Sequence, residues 1–263
     1  MCNVRRLRTV TALVCTLMFA GCAAHIPRAL PDQPLSLNGH TLRLHLANPD
    51  AAASGPLIVF ASGDGGMHRK DLDAYRRLVS WCYPTVGFDA RDYVTHLPAG
   101  SATTTPERLA ADYAQIIAAA KRALRLPADH PAVLVGVSRG AGLSVIAAAH
   151  LQGVIEGVVA VALTREEEFV RWYRRVPLVH EPRPAMVMVY DYLSQLGELP
   201  VAVIQSTRDK YLPAAAARKL FGPDSASRRL NTIDARNHSF AGARERMYDA
   251  VYAALEWIIG IAD

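Results

Sequence analysis

From residue 57 onward the chain alternates short apolar runs with helical stretches, and this alternation limits the folds open to it. The runs are Leu57–Ala61, Thr85–Phe88, Ala132–Val137, Gly157–Leu163, Val201–Gln205 and the less apolar Leu230–Ile233. Runs this short without internal polar alternation suit strands covered on both faces, hence a mostly parallel sheet between helical layers. The helices are readable from period and caps. Thr105-Pro106-Glu107 predicts a helix start, with Thr105 as cap and Pro106 in the first turn. Leu109, Tyr113, Ile116, Ile117, Ala120 and Leu124 then form one stripe at the helical period. Met247, Val251, Ala254, Leu255 and Ile258 form another near the end of the chain. The stretch after Ser138 is apolar nearly all round, which predicts a helix buried against the sheet.

Upstream, Leu35 to Leu46 alternates apolar and polar residues around Asn38-Gly39, a strong hairpin signal. Residues 22–34 hold Pro27, Pro31 and Pro34 and read as a tether. The expected organisation is a leader over 1–21, the tether over 22–34 and one domain over 35–263. Residues 164–199 run longer than an ordinary crossover. Glu166, Glu167 and Glu168 precede Phe169, Trp172 and Tyr173, and the segment is expected either to cap the site or to embellish the crossover.

The leader reads as an export signal. Arg5, Arg6 and Arg8 precede an apolar run, Thr9 to Ala20, that is short for a bilayer span. It ends in Phe19-Ala20-Gly21-Cys22, which resembles a bacterial lipobox with Phe19 where Leu is usual; the resemblance implies lipidation of Cys22. Simple secretion, with cleavage between Ala20 and Ala24, is the alternative. Anchoring to a membrane on the periplasmic side, the outer more than the inner, or a soluble periplasmic protein are the corresponding locations. Losing Arg5, Arg6 and Arg8 would take the formal charge from +5 to +2. With no dense basic cluster, no nucleic-acid partner is expected. Of the 4 cysteines, only Cys82 lies beyond the leader and Cys22, so no disulfide is expected within the domain, and Cys82 reads as a small buried residue. The sequence leaves the oligomeric state open.

One strand-to-helix junction carries chemistry. Gly136-Val137-Ser138-Arg139-Gly140 has the Gly-x-Ser-x-Gly spacing, in which small residues let strand and helix close on a sharply turned serine. Ser138 is therefore the candidate nucleophile of an acyl-transfer reaction. A base and an acid should follow it, each just after a later strand. Of the 9 histidines, His238 alone follows a suitable run, Leu230–Ile233. Asp209 follows Val201–Gln205 and is the candidate acid, with Asp234 in reserve. Stabilising the oxyanion needs backbone donors. The N–H of Arg139 and that of Asp64, in the loop Ser62-Gly63-Asp64-Gly65-Gly66, are the candidates. That loop lacks the ending of a nucleotide-binding P-loop. No cofactor and no metal are expected. These features define an α/β-hydrolase fold, a mostly parallel sheet with helices on both faces and an N-terminal hairpin.

Here the chain resembles the bacterial virulence protein VirJ/AcvB family. The resemblance rests on Ser62-Gly63-Asp64-Gly65-Gly66, on Val86-Gly87-Phe88-Asp89 with Tyr93 behind it, on Thr105-Pro106-Glu107 with Ala111-Asp112-Tyr113, and on Val135 to Ala141. It is good over 57–149 and loose beyond. The sequence departs from the family at Met67 (usually Trp), Val137 and Arg139 (usually Tyr and Phe) and Gly142 (usually Asp). The resemblance implies periplasmic hydrolysis of aminoacylated phosphatidylglycerol, a lipid ester. A carboxylate would then meet the substrate ammonium, with Asp64, Asp89 and Asp92 as candidates, and Arg139 could meet a phosphate. Gly65, Asp89 and Tyr93 are the expected substrate-binding residues. A general esterase or lipase, and a non-catalytic hydrolase-fold accessory of virulence or secretion, are the alternatives.

Overall fold

The computed structural model describes residues 28–48, 55–97, 105–168 and 186–262. The leader, Cys22, and the Phe169, Trp172 and Tyr173 cluster lie outside them. Among the described residues no helix is long and apolar enough to cross a membrane.

The strands are β1 (Arg28–Ala29), β2 (Gln33–Leu37), β3 (His40–Asn48), β4 (Leu57–Ala61), β5 (Thr85–Phe88), β6 (Ala132–Val137), β7 (Gly157–Val161), β8 (Glu166–Glu168), β9 (Met186–Met188), β10 (Val201–Ser206) and β11 (Arg228–Ile233). Nine of them form one sheet in the order β1-β3-β5-β4-β6-β7-β10-β11, with β2 beside β3. Pairing is parallel from β5 across to β11 and antiparallel at the β1–β3 end. The apolar runs thus become central strands: every residue of β4, β5 and β7 is buried.

The helices are α1 (Arg69–Ser80), α2 (Ala90–Thr95), α3 (Pro106–Leu124), α4 (Arg139–Ala148), α5 (Val189–Leu193), α6 (Ala214–Phe221) and α7 (Arg244–Ala262). Two cores result. Leu57, Val59 and Leu134 face α3, α4 and α6, while Ile58, Phe60 and Val135 face α1 and α7. Alternate residues of one strand serve opposite layers, which is why these runs carry no polar alternation. Thr105 caps α3 as predicted, accepting from the Arg108 N–H at 3.2 Å. Asn38 and Gly39 both take positive φ, 53° and 78°, the requirement of a tight two-residue hairpin turn.

Three expectations are corrected. Residues 28–34, read as tether, contribute β1 and the start of β2. Pro34 is tolerated because β2 pairs on one side only, with β3, so its missing N–H costs no ladder bond. Within 164–199, β8 and β9 pair as an antiparallel ribbon, and Thr164 to Glu167 and Met186 border the cleft, but Val189, Tyr190, Leu193 and Leu196 are buried in the main core, so residues 189–196 are crossover rather than cap. Cys82, read as a small buried residue, is instead half-buried at positive φ and disulfide-bonded.

Candidate active site

The sheet order reverses between β4 and β6, because the chain leaves β4 toward β5 and returns to β6 on the other side. Loops at such a switch point diverge and leave a crevice at the carboxyl ends of the strands. The glycine loop after β4 and Ser138 after β6 face each other there.

Ser138 sits at φ 52°, ψ −114°, a conformation that side chains other than glycine's adopt only at a cost of about 1–3 kcal/mol. Its N–H donates to the Val161 carbonyl at 2.8 Å, and its own carbonyl accepts from Ala141 N–H at 2.9 Å. The two flanking glycines make the turn possible. A Cβ at Gly136 would run into the Gly140 carbonyl, and one at Gly140 into the carbonyls of Ala61 and Ser62. Gly140→Ala is therefore expected to cost about 3 kcal/mol, the upper range for overpacking against atoms that cannot rotate away. Thermal unfolding checks this: a fall in Tm of roughly 10 °C is expected, and an unchanged Tm would show that the elbow can open.

His238 lies in the loop between β11 and α7. Asn237 shapes that loop, its Oδ1 accepting from the N–H groups of Ser239 at 3.0 Å and Ala241 at 3.2 Å. The His238 ring then spans the two partners that sequence order suggested: Nε2 is 2.8 Å from Ser138 Oγ, and Nδ1 is 2.6 Å from Asp209 Oδ2. Asp209 is fully buried and its other oxygen accepts from the N–H of Tyr211 at 2.8 Å. Gln205 donates to Asp209 Oδ2 at 3.1 Å. Tyr211 stands edge-on to the His238 ring, centroids 4.8 Å apart. The reserve acid Asp234 is bound instead to Thr207 at 2.9 Å and Arg208 at 3.0 Å.

The glycine loop packs directly on the elbow. A Cβ at Gly63 would lie 3.5 Å from Ser138 Cβ. The Ser62 N–H donates to Phe88 O at 3.2 Å and the Gly63 N–H to Asp71 Oδ2 at 2.8 Å. Asp64, whose N–H is next in the loop, and Arg139 both line the cleft with Gly63 and Gly65. Burial pushes the Asp71 carboxyl up, and the Gly63 N–H pulls it back down. Nothing in the sequence marks Asp71, whose role exists only because α1 turns back over the loop.

Other predicted roles change. Gly65 borders the cleft, but Asp89 and Tyr93 hold structure rather than line it. Asp89 caps α2, accepting from Asp92 N–H at 2.9 Å, and also accepts from Met67 N–H at 2.9 Å. Tyr93 is buried, and its hydroxyl donates to Asp112 at 2.8 Å; burial and Asp112 push that hydroxyl up, so it stays a donor. Arg139 is not turned toward an open phosphate position. Its side chain is 15% exposed and ion-pairs with Asp64 and, at 3.3 Å, with Glu167. Glu167, also buried, accepts from Thr164 at 2.5 Å. It occupies space that Gly142 leaves: a Cβ there would lie 2.5 Å from Glu167 Cγ. Two departures from the family pattern, Arg139 and Gly142, are thus one arrangement. Away from the cleft, His40, Asp92 and His96 bring three potential metal-ligating atoms within 4.8 Å of one another, with the two imidazoles stacked at 3.6 Å.

The sheet order, the helix layers and the elbow define this as an α/β-hydrolase fold. Solved structures agree: Est1E from Butyrivibrio proteoclasticus (TM-score 0.62, 15% identity, 86% of this chain and 98% of that one) and an esterase from Pyrococcus furiosus (0.62, 14%, 88% and 93%). At such identities the likeness is one of fold. Residues 56–169 match the family model for bacterial virulence protein (VirJ), so the glycine loop and the serine elbow stand in VirJ-like sequence. No curated protein matches the chain by sequence.

Proposed function

We propose that this chain is a serine ester hydrolase of the cell envelope that cleaves aminoacyl esters of phosphatidylglycerol. The observation that carries the hydrolase reading is the unbroken hydrogen-bonded chain Asp209–His238–Ser138 on a strained strand-to-helix turn. His238 Nε2 takes the Ser138 proton as Oγ attacks the ester carbonyl carbon. Asp209 holds Nδ1 and stabilises the imidazolium that forms. The backbone N–H groups of Asp64 and Arg139 receive the oxyanion. As the tetrahedral intermediate collapses, His238 returns the proton to the departing alcohol. Water, deprotonated by His238, then attacks the acyl-enzyme, and Ser138 regains its proton as the acid leaves.

The aminoacyl-lipid assignment rests on the VirJ-like segment and on the charges around the cleft. Arg69, Lys70 and Arg165 on its rim suit a lipid phosphate. Glu166, exposed beside the Arg139 cluster, suits an ammonium. Lipidation of Cys22 would hold the enzyme beside such a substrate, on the periplasmic side of the outer membrane. The discriminating experiment offers purified protein lysyl- or alanyl-phosphatidylglycerol in competition with p-nitrophenyl acetate. Release of the amino acid at a kcat/KM at least about ten-fold above that for the acetate is expected, a difference of about 1.4 kcal/mol in transition-state binding. Preference for the acetate would make the protein a general esterase. Hydrolysis of neither, with no labelling by a fluorophosphonate, would make it a non-catalytic accessory.

A further inference from the structure

The cleft at Ser138 is much larger than an ester group needs. Its cavity measures about 860 Å³, near the upper end for sites that enclose a small molecule. Polar residues, among them Asp64, Arg139, Arg165 and Glu166, line part of it. The rest runs from Ser138 between α1 and α7, over a floor of Phe60, Val135 and Val161 and between walls of Leu78, Trp81 and Val251. All of these but Trp81 are buried, and none of them titrates.

Well-packed cores close gaps of this kind. Here α1 and the residues just after it are tied to α7 by polar and ring contacts. Arg77 meets Glu245 at 2.5 Å, Tyr83 donates to Glu256 at 2.6 Å, and the rings of Trp81 and Tyr252 meet edge-on at 5.2 Å. Ala74 and Leu78 of α1 and Met247 and Val251 of α7 offer an occupant apolar surface, while Asp71, Arg244 and Tyr248 also line the cavity.

We infer that this arm is a binding subsite for an apolar chain of the ester substrate, reaching from the scissile bond at Ser138 into the space between α1 and α7. The inference rests on the ester-hydrolase reading and deepens it by giving the substrate a chain. That chain can belong to the acyl group or to the alcohol; a lipid alcohol would carry it on the leaving side. Each methylene entering the arm leaves water, which is worth up to about four-fold in kcat/KM.

The test uses the full-length chain in amphipol and two ester series, p-nitrophenyl acetate through decanoate and n-alkyl acetates of the same range. A rise in kcat/KM with chain length, in whichever series enters the arm, is expected. Ala74→Phe and Val251→Phe, each placing a ring in the arm, should flatten that rise. Either variant suffices if the other does not fold. Turnover of the shortest esters with no chain-length dependence in either series, or with dependence that both folded variants leave intact, overturns the inference. A second readout needs no catalysis: a dibrominated stearate should quench the Trp81 emission, identified as the component lost in Trp81→Phe. Absence of that quenching also overturns the subsite. If the shortest esters are not turned over and Ser138 is not labelled, the hydrolase reading fails, while the quenching still decides whether a chain enters.

Discussion

Replacing Ser138 with alanine is expected to lower ester turnover by about 10⁶-fold, the loss typical when the nucleophile of a serine triad is removed. The reason is specific to the geometry. His238 Nε2 lies 2.8 Å from Oγ, and no attacking atom remains once the hydroxyl is gone. Labelling by a fluorophosphonate should vanish with it; labelling at the wild-type rate would remove Ser138 from the proposed mechanism. The fold should survive, because alanine fits wherever serine does. Stability supplies a second, independent readout. Ser138 holds φ 52°, ψ −114°, where any Cβ is strained and glycine is not. Ser138→Gly should therefore be as inactive as Ser138→Ala but unfold at a higher temperature, with a difference on the order of 1 kcal/mol. A glycine variant no more stable than the alanine variant would mean that the elbow carries no strain for glycine to release.

The strands were legible because burial on both faces writes itself into composition. A run such as Leu57–Ala61 has no solvent-facing position, and the whole run is buried. The hairpin was legible because Asn38-Gly39 tolerates positive φ at both positions. The elbow was legible for a similar reason, since Gly136 and Gly140 stand where backbone meets backbone. What could not be read depends on distances between segments far apart in sequence. Asp71 holds the glycine loop from the next helix, and Glu167 reaches Arg139 through the space at Gly142. The family resemblance placed Asp89 and Tyr93 at the substrate, yet one caps a helix and the other points into the core toward Asp112. The prolines of the segment read as tether suggested an extended spacer. An edge strand accommodates the same residues, because only one side of its backbone must pair.

Asp209→Asn is the second large effect, and here the surroundings dictate the outcome. One carboxylate oxygen, Oδ1, accepts backbone N–H groups from Tyr211 at 2.8 Å and Leu212 at 3.4 Å. An asparagine can satisfy those donors only by placing its carbonyl oxygen there. Its NH₂ must then take the position of Oδ2, facing His238 Nδ1 across the present 2.6 Å contact. Donating to Nδ1 forces the imidazole into the tautomer that carries its proton on Nε2. That nitrogen then has no lone pair for the Ser138 proton. Gln205 reinforces the effect: its amide nitrogen also donates to Leu212 O at 2.6 Å, so it cannot turn to accept from the new NH₂ without losing that bond. A fall in kcat of about 10⁴-fold is expected, as for a triad whose histidine is held in the wrong tautomer. KM should change little, because Asp209 is buried and meets no substrate. The measurement is kcat and KM on p-nitrophenyl acetate for wild type, Asp209→Asn and Asp234→Asn. Asp234 is tied to Thr207 and Arg208 at the surface, so its variant should lose less than about two-fold, within the small cost of an exposed ion pair. A loss at Asp234 larger than at Asp209 would reverse the assignment of the acid.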